Sequence, residues 1–206
     1  MPNPKRSKPQ LRNQVRIIGG QYRRRLLAFP DAPGLRPTPD RVRETVFNWL
    51  GQDLPGWHCL DLFAGSGALG FEAASRGAAR VVMVERERAA LETLQANRIL
   101  LNATQIEIQR ADCQTWLASN AELFDLIFLD PPFDGDLAAR VLPELAGRVK
   151  SGGYVYVEQG GFLTPPAGLT LYRSGRAGKS HFALLKRNPD ADCCLPGHLR
   201  SDHPRS

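Results

Sequence analysis

Between Trp57 and Glu158, short apolar runs alternate with stretches of helical periodicity, and this alternation limits the possible folds more than any other feature of the chain. Strands are expected over 59–63, 80–85, 106–109, 124–129 and 154–158, with helices over 69–76, 88–101, 114–119 and 137–148 between them. Runs such as Leu126-Ile127-Phe128-Leu129 are continuous rather than alternating, as in strands buried on both faces. Strand and helix in turn argue for an α/β fold, a parallel sheet covered on both sides. Beyond 158 the pattern changes. Segments 169–173 and 181–186, joined by a Gly/Arg/Lys turn, read as a final antiparallel pair.

The first fifty residues follow another plan. Val15-Arg16-Ile17-Ile18, then Gly19-Gly20 and the segment 22–29, predict a hairpin around a glycine turn, with Arg23, Arg24 and Arg25 in its tip and return strand. A Pro/Gly loop over 31–37 leads to a helix that Thr38 or Asp40 would cap and that runs to about Leu50, with Val42, Val46, Phe47, Trp49 and Leu50 on its apolar face. The expected layout is a disordered basic arm over 1–14, hairpin and helix over 15–50, the α/β domain over 51–187 and a disordered polar tail over 188–206.

Charge is unevenly spread. Residues 1–43 hold eleven Lys/Arg against Asp31 and Asp40, a net +9, while the whole chain is +6 and the remainder therefore −3. A basic arm on a slightly acidic body points to a polyanion, and nucleic acid is the expected partner. Its candidate contacts are Arg23, Arg24, Arg25, Arg36, Arg41 and Arg43. No stretch is long and apolar enough to cross a membrane, and the basic N-terminus lacks the apolar core of a secretory signal, so a cytoplasmic location is expected. Cys193 and Cys194 lie near His198 and His203, but adjacent cysteines share one tetrahedral ion poorly, and no metal site is expected.

The chemistry gathers where strands should end. Asp130-Pro131-Pro132-Phe133 closes an apolar run, and two prolines stop a strand abruptly. The resulting stiff loop offers a carboxylate, an unclaimed carbonyl and an aromatic ring. Together these can grip a planar group bearing an NH2: two acceptors for its hydrogens and a face to stack on. Upstream, Gly65-Ser66-Gly67-Ala68-Leu69-Gly70 fits a tight turn between strand and helix, where backbone N–H groups can approach a ligand. A dinucleotide pyrophosphate is one candidate and S-adenosylmethionine the other. Asp61, just before the turn, favours the second, because it can hold an ammonium and would repel a pyrophosphate. Glu85 can accept ribose hydroxyls from either. Asp112 can accept from an adenine amine, with the N–H of Cys113 reading a ring nitrogen. Each carboxylate taken singly also fits a helix cap or a solvated charge. Four of them at the ends of successive strands, Asp130 included, favour a site.

The run Asp61-Leu62-Phe63-Ala64-Gly65-Ser66-Gly67 and the Asp-Pro-Pro-Phe loop resemble class I S-adenosylmethionine-dependent methyltransferases that modify exocyclic amines. Arg16-Ile17-Ile18-Gly19-Gly20, Arg25-Leu26, Arg36-Pro37-Thr38, Asp40-Arg41-Val42-Arg43-Glu44 and Phe47-Asn48 further resemble the RsmD family, over roughly 15–186. The resemblance implies a Rossmann-like, mostly parallel seven-stranded sheet with a C-terminal antiparallel strand and an N-terminal β-hairpin extension. It implies S-adenosylmethionine as cofactor, S-adenosylhomocysteine as product, and methylation of the N2 of a guanine in 16S ribosomal RNA of the small subunit; nothing in the sequence suggests a dedicated dimer interface, so a monomer is expected. The catalytic set would be Asp130, Pro131, Pro132 and Phe133. The cofactor set would be Asp61, Phe63, Ala64, Gly65, Ser66, Gly67, Glu85, Arg86, Asp112 and Cys113. The residues alone leave other planar amines open, an adenine in DNA or RNA or a protein glutamine, as well as a non-catalytic RNA-binding assembly module.

Overall fold

The computed structural model describes residues 13–32, 35–132, 136–161, 163–178 and 180–189. Strands β1 (Asn13–Arg16) and β2 (Leu26–Phe29) pair antiparallel, with Asn13 opposite Phe29. Pairing thus begins two residues before the expected hairpin start, and Asn13 and Gln14 belong to the hairpin rather than to a disordered arm. Arg23, Arg24 and Arg25 all lie in the exposed connection, none of them in the return strand.

Helix α1 (Asp40–Trp49) has Pro39 at its N-cap and no side-chain cap, so neither Thr38 nor Asp40 plays the expected capping part. Proline suits this position because it needs no N–H partner there. Asp40 instead complements the helix dipole from the first turn and pairs with Arg43 at 2.7 Å and Arg16 at 3.2 Å.

The seven-stranded sheet comprises β3 (His58–Asp61), β4 (Arg80–Glu85), β5 (Ile106–Arg110), β6 (Phe124–Leu129), β7 (Val149–Gln159), β8 (Leu169–Ala177) and β9 (Ser180–Arg187). Its order is β5-β4-β3-β6-β7-β9-β8, with β9 antiparallel to both β7 and β8 and the pairs from β5 to β7 parallel. Helices α2 (Ala68–Ser75) and α3 (Arg88–Leu101) join α1 over one face, where Phe47, Phe71, Leu94, Phe128 and Tyr156 form one core. Helices α4 (Cys113–Ser119) and α5 (Leu137–Leu145) cover the other, around Trp116, Phe124, Ile127 and Val141. β7 begins five residues before its expected start, because Ser151-Gly152-Gly153 lies within the strand rather than in a turn. No helix among the described residues is long and apolar enough to cross a membrane. The Cys193/Cys194 tail, with His198 and His203, lies outside the described residues.

The N-terminal segment is locked to the sheet layer through Glu72, which is fully buried on α2. Its carboxylate accepts from the Ile18 and Gly19 N–H groups, both at 2.8 Å, from Arg43 Nη1 at 3.1 Å and from Arg76 Nε at 2.8 Å. The hairpin turn rests directly on the end of α2: at Gly20, with φ +71°, an added Cβ would lie 1.8 Å from the Ser75 carbonyl oxygen. Asn97 of α3 holds the Ala28 carbonyl of β2 at 2.8 Å.

Arg43 departs from the sequence reading. It is fully buried and spends its donors on the Thr38 and Arg16 carbonyls, Asp40 and Glu72, so it offers nothing to RNA. The cause is helical phase: Val46 and Phe47 follow it by three and four residues and share its inward face. Breaking a buried ion pair from one side costs roughly 3–5 kcal/mol. Arg43→Ala should therefore lower the unfolding free energy of the whole protein, read by urea titration, by that amount. A change below about 1 kcal/mol, as for a surface pair, would contradict the docking.

Candidate active site

The chain lays down β3, β4 and β5 in one direction, then crosses back to place β6 on the other side of β3. The crevice at the carboxyl ends of β3 and β6 is thus the topological switch point, where open α/β sheets bind ligands. Asp61 ends β3, Glu85 ends β4, Asp112 follows β5 and Asp130 follows β6, so the expected carboxylates do share one edge of the sheet.

On the β3 side, the turn to α2 is anchored by the Ala64 N–H, which donates to the Val84 carbonyl at 3.0 Å. Gly67 is the N-cap of α2 with φ +80°, and a Cβ there would come within 2.6 Å of the Phe71 ring. No other residue fits that position. Ser66 is buried, and its hydroxyl accepts from the Ala68 N–H; Phe63 packs, half-buried, against the second core. Asp61 is 1% exposed. Its Oδ2 accepts from the Gly70 N–H at 3.0 Å, while the buried Oδ1 has no partner. Burial pushes this carboxyl up to about 7, against the opposing pull of the Gly70 and Phe63 N–H groups.

Glu85 folds back on the same turn, accepting from the Gly65 N–H and from the N–H groups of Arg86 and Glu87, each at 2.8 Å. Asp112 caps α4: its carboxylate accepts the Thr115 hydroxyl and N–H, which hold it below the usual carboxylate range. The Cys113 thiol is buried and pushed up by burial, which leaves its backbone as the group available to a ligand. Arg86 is exposed beside Glu87.

On the β6 side, the Thr38 hydroxyl donates to Asp130 Oδ2 at 3.0 Å. Pro131 is buried and Pro132 exposed; Phe133 lies outside the described residues. The β6–β7 register, Leu129 opposite Val157, puts Asp130 next to Glu158. Glu158 is 6% exposed and accepts the hydroxyls of Tyr156 at 2.8 Å and Ser180 at 2.7 Å. Burial first, then the charge of Glu158 and more weakly that of Asp61, holds the Asp130 carboxyl well above the usual range despite the Thr38 bond. The sequence reading missed both Glu158 and Thr38. Glu158 carried the same mark as Glu85, a carboxylate ending an apolar strand, whereas Thr38 resembled a helix cap. Of the expected basic contacts, Arg23, Arg24, Arg25, Arg36 and Arg41 are exposed.

A parallel sheet extended by one reversed strand, a glycine turn after its first strand, a carboxylate ending the second and an Asp-Pro-Pro loop after the fourth define a class I S-adenosylmethionine-dependent methyltransferase. The family described as "Conserved hypothetical protein 95", the RsmD family, matches residues 15–186, and this chain belongs to it. A protein of Escherichia coli K12 named "Ribosomal RNA small subunit methyltransferase D" is 41% identical over 184 residues, which cover 87% of this chain and 93% of that protein. A protein of the same name from Buchnera aphidicola subsp. Baizongia pistaciae is 35% identical, over 82% of this chain and 90% of its own. Among solved structures, "Putative methyltransferase yhhF from Escherichia coli" superposes with a TM-score of 0.77 at 40% identity, covering 85% of this chain and 99% of that one.

If Glu158 raises the proton affinity of Asp130, Glu158→Gln should lower the Asp130 carboxyl pKa and leave it still above the usual carboxylate range, since burial persists. A carbon-detected NMR titration of the Asp130 carboxyl reads this directly. An unchanged midpoint would mean that the two groups do not interact.

Proposed function

We propose that this protein transfers the methyl group of S-adenosylmethionine to the exocyclic N2 of a guanine in 16S ribosomal RNA. The observation that carries the reading is the pairing, at one switch point, of a buried acceptor without a partner on Asp61 with the Asp130-Pro131 acceptors across the crevice. A buried carboxylate with an unfilled oxygen suits an ammonium group, and the neighbouring Asp130 and Glu158 add negative potential. That set fits a ligand with an ammonium and a sulfonium and opposes a pyrophosphate. Glu85 would take the ribose hydroxyls, Asp112 and the Cys113 N–H the adenine, and the run Phe63, Ala64, Gly65, Ser66 and Gly67, with Arg86, would wall the remainder. When bound, S-adenosylmethionine supplies an electrophilic methyl carbon.

The protein's own part is to make a poor nucleophile attack. A guanine amine has its lone pair delocalised into the ring. With one hydrogen on the Asp130 carboxylate and the other on the Pro131 carbonyl, the nitrogen is drawn toward a pyramidal shape and its lone pair is aimed across the crevice. Thr38 fixes the carboxylate, and Phe133 would stack on the base. As the new N–C bond forms the nitrogen becomes positive, and the raised proton affinity of Asp130 suits it to take the proton that leaves.

The amine lies on the Watson–Crick edge, so the guanine must be unpaired or extruded. Arg23, Arg24, Arg25, Arg36 and Arg41 would hold phosphates beside it. The partner is 16S RNA, alone or within the small subunit, met in the cytoplasm by a monomer. The names of the relatives support the RNA class, and the Asp-Pro-Pro loop supports the amine.

Two results are expected. Wild type with labelled S-adenosylmethionine and unmodified small subunits should give N2-methylguanosine on nucleoside analysis. Asp130→Ala should lose this product while still binding cofactor. Label on adenosine, DNA or protein would discard the guanine, and cofactor binding without transfer to any acceptor would favour a binding module. Second, an ammonium held by Asp61 lowers its pKa from about 7, so binding expels a proton at lower pH. The affinity for S-adenosylhomocysteine should then rise about tenfold per pH unit below 7 and level off above. Calorimetry should show a flat profile for Asp61→Asn.

A further inference from the structure

We propose that the free edge of the sheet, where β8 and β9 meet the start of β7, is a second RNA-binding surface, a stacking platform for an unpaired stretch of the substrate. This rests on the RNA reading above and extends it to the opposite end of the chain. Residues 163–189 carry Arg173, Arg176, Lys179, Lys186 and Arg187 and no Asp or Glu, whereas residues 44–162 are net −7. Positive charge therefore comes in two blocks, one at the N-terminus and one in this last hairpin.

A β-bulge shapes the surface. Leu171 pairs with Leu185 and Arg173 with Leu184, which leaves Tyr172 as the extra residue. A bulge re-aims the side chain it carries. The Tyr172 ring lies 5.5 Å from Tyr154, whose ring stacks on Trp57 at 6.1 Å with planes 13° apart. Lys186 Nζ sits 5.6 Å from the Tyr154 ring centre and 5.9 Å from that of Tyr172, and the Arg173 guanidinium lies 5.2 Å from Tyr172. Tyr172 is 40% exposed and Leu171 52%. Among the described residues neither Arg173 nor Lys186 has a carboxylate partner.

An exposed tyrosine ring, backed by the half-buried Tyr154 and Trp57 and flanked by cations without carboxylate partners, offers single-stranded nucleic acid a face for a base and charges for phosphates. Cations on an edge strand also deter strand addition, but that role calls for no ring turned outward by a bulge. The platform and the active site share strand β7, with the buried Tyr156 between them. Tyr154 shares a strand face with Tyr156 and Glu158, four residues or about 13 Å along β7. Trp49 of α1 stacks on Phe182 of β9 at 5.5 Å, and Ser180 at the start of β9 donates to Glu158.

The test uses the full-length protein and unmodified small ribosomal subunits. Tyr172→Ala should weaken binding about 5- to 150-fold, as for loss of one stacked base. Arg173→Gln should reduce the salt dependence of binding by about one unit of slope or slightly less. In both variants kcat at saturating subunits and S-adenosylhomocysteine affinity should match wild type. A photoreactive phenylalanine analogue in place of Tyr172 should cross-link to 16S RNA. Unchanged binding and slope in both variants would overturn the proposal, as would cross-linking to a ribosomal protein. A wild type that binds no ribosomal RNA at all would instead sink the underlying reading and this surface with it.

Discussion

One buried carboxylate holds the molecule together as a single working unit. Glu72 sits inside α2 with no access to water, which would be costly if its charge were unanswered. Two guanidinium groups and two backbone N–H groups answer it, and three of these four donors, Arg43, Ile18 and Gly19, come from the N-terminal segment. Arg43 also holds the Thr38 carbonyl, and the Thr38 hydroxyl holds Asp130. A chain of four contacts thus runs from the hairpin, through the interior, to the loop after β6. An apolar core alone would permit the hairpin to shift on α2, whereas a charge with fixed donors on two elements sets its position.

The site is electrostatically expensive in the free protein. Asp61, Asp130 and Glu158 face one crevice; burial raises the proton affinity of the first two, helped at Asp61 by the charge of Glu85 and at Asp130 by the charges of Glu158 and Asp61. Asp61, lifted from 3.8 to about 7, imposes no charge penalty below pH 4, where folded and unfolded chains are both protonated. The penalty grows between those values and is complete above 7, on the order of 4 kcal/mol. Such stored strain is common where a protein awaits a charged ligand. A cation bound at the Asp61 oxygen without a partner would relieve it, so the arrangement that weakens the empty fold favours a positively charged cofactor.

Much of this was legible in sequence. The bounds of β4, α3 and β6 follow from apolar period alone, and the four carboxylates at strand ends were placed on one edge because parallel strands all point the same way. What sequence hid was partnership. Arg43 reads as a surface cation until helix phase turns it inward onto Glu72. Thr38 reads as a helix cap, but Pro39 takes that place and frees the hydroxyl for Asp130. Asp112 proved to be both a strand-end carboxylate and the cap of α4, two readings that had been set against each other. The basic C-terminal hairpin vanished in a charge balance taken over the whole remainder of the chain, where the acidic body outweighed it.

The most direct test of this account is native-state hydrogen exchange at the Ile18 and Gly19 amides, the two that donate to Glu72. If the N-terminal segment and the sheet are one cooperative unit, both amides should exchange only through global unfolding, with the same free energy and denaturant dependence as Leu60 in β3. Exchange through a smaller opening, several kcal/mol below that of Leu60, would show that the hairpin opens independently of the core, and the coupling from Glu72 to Asp130 would fall with it.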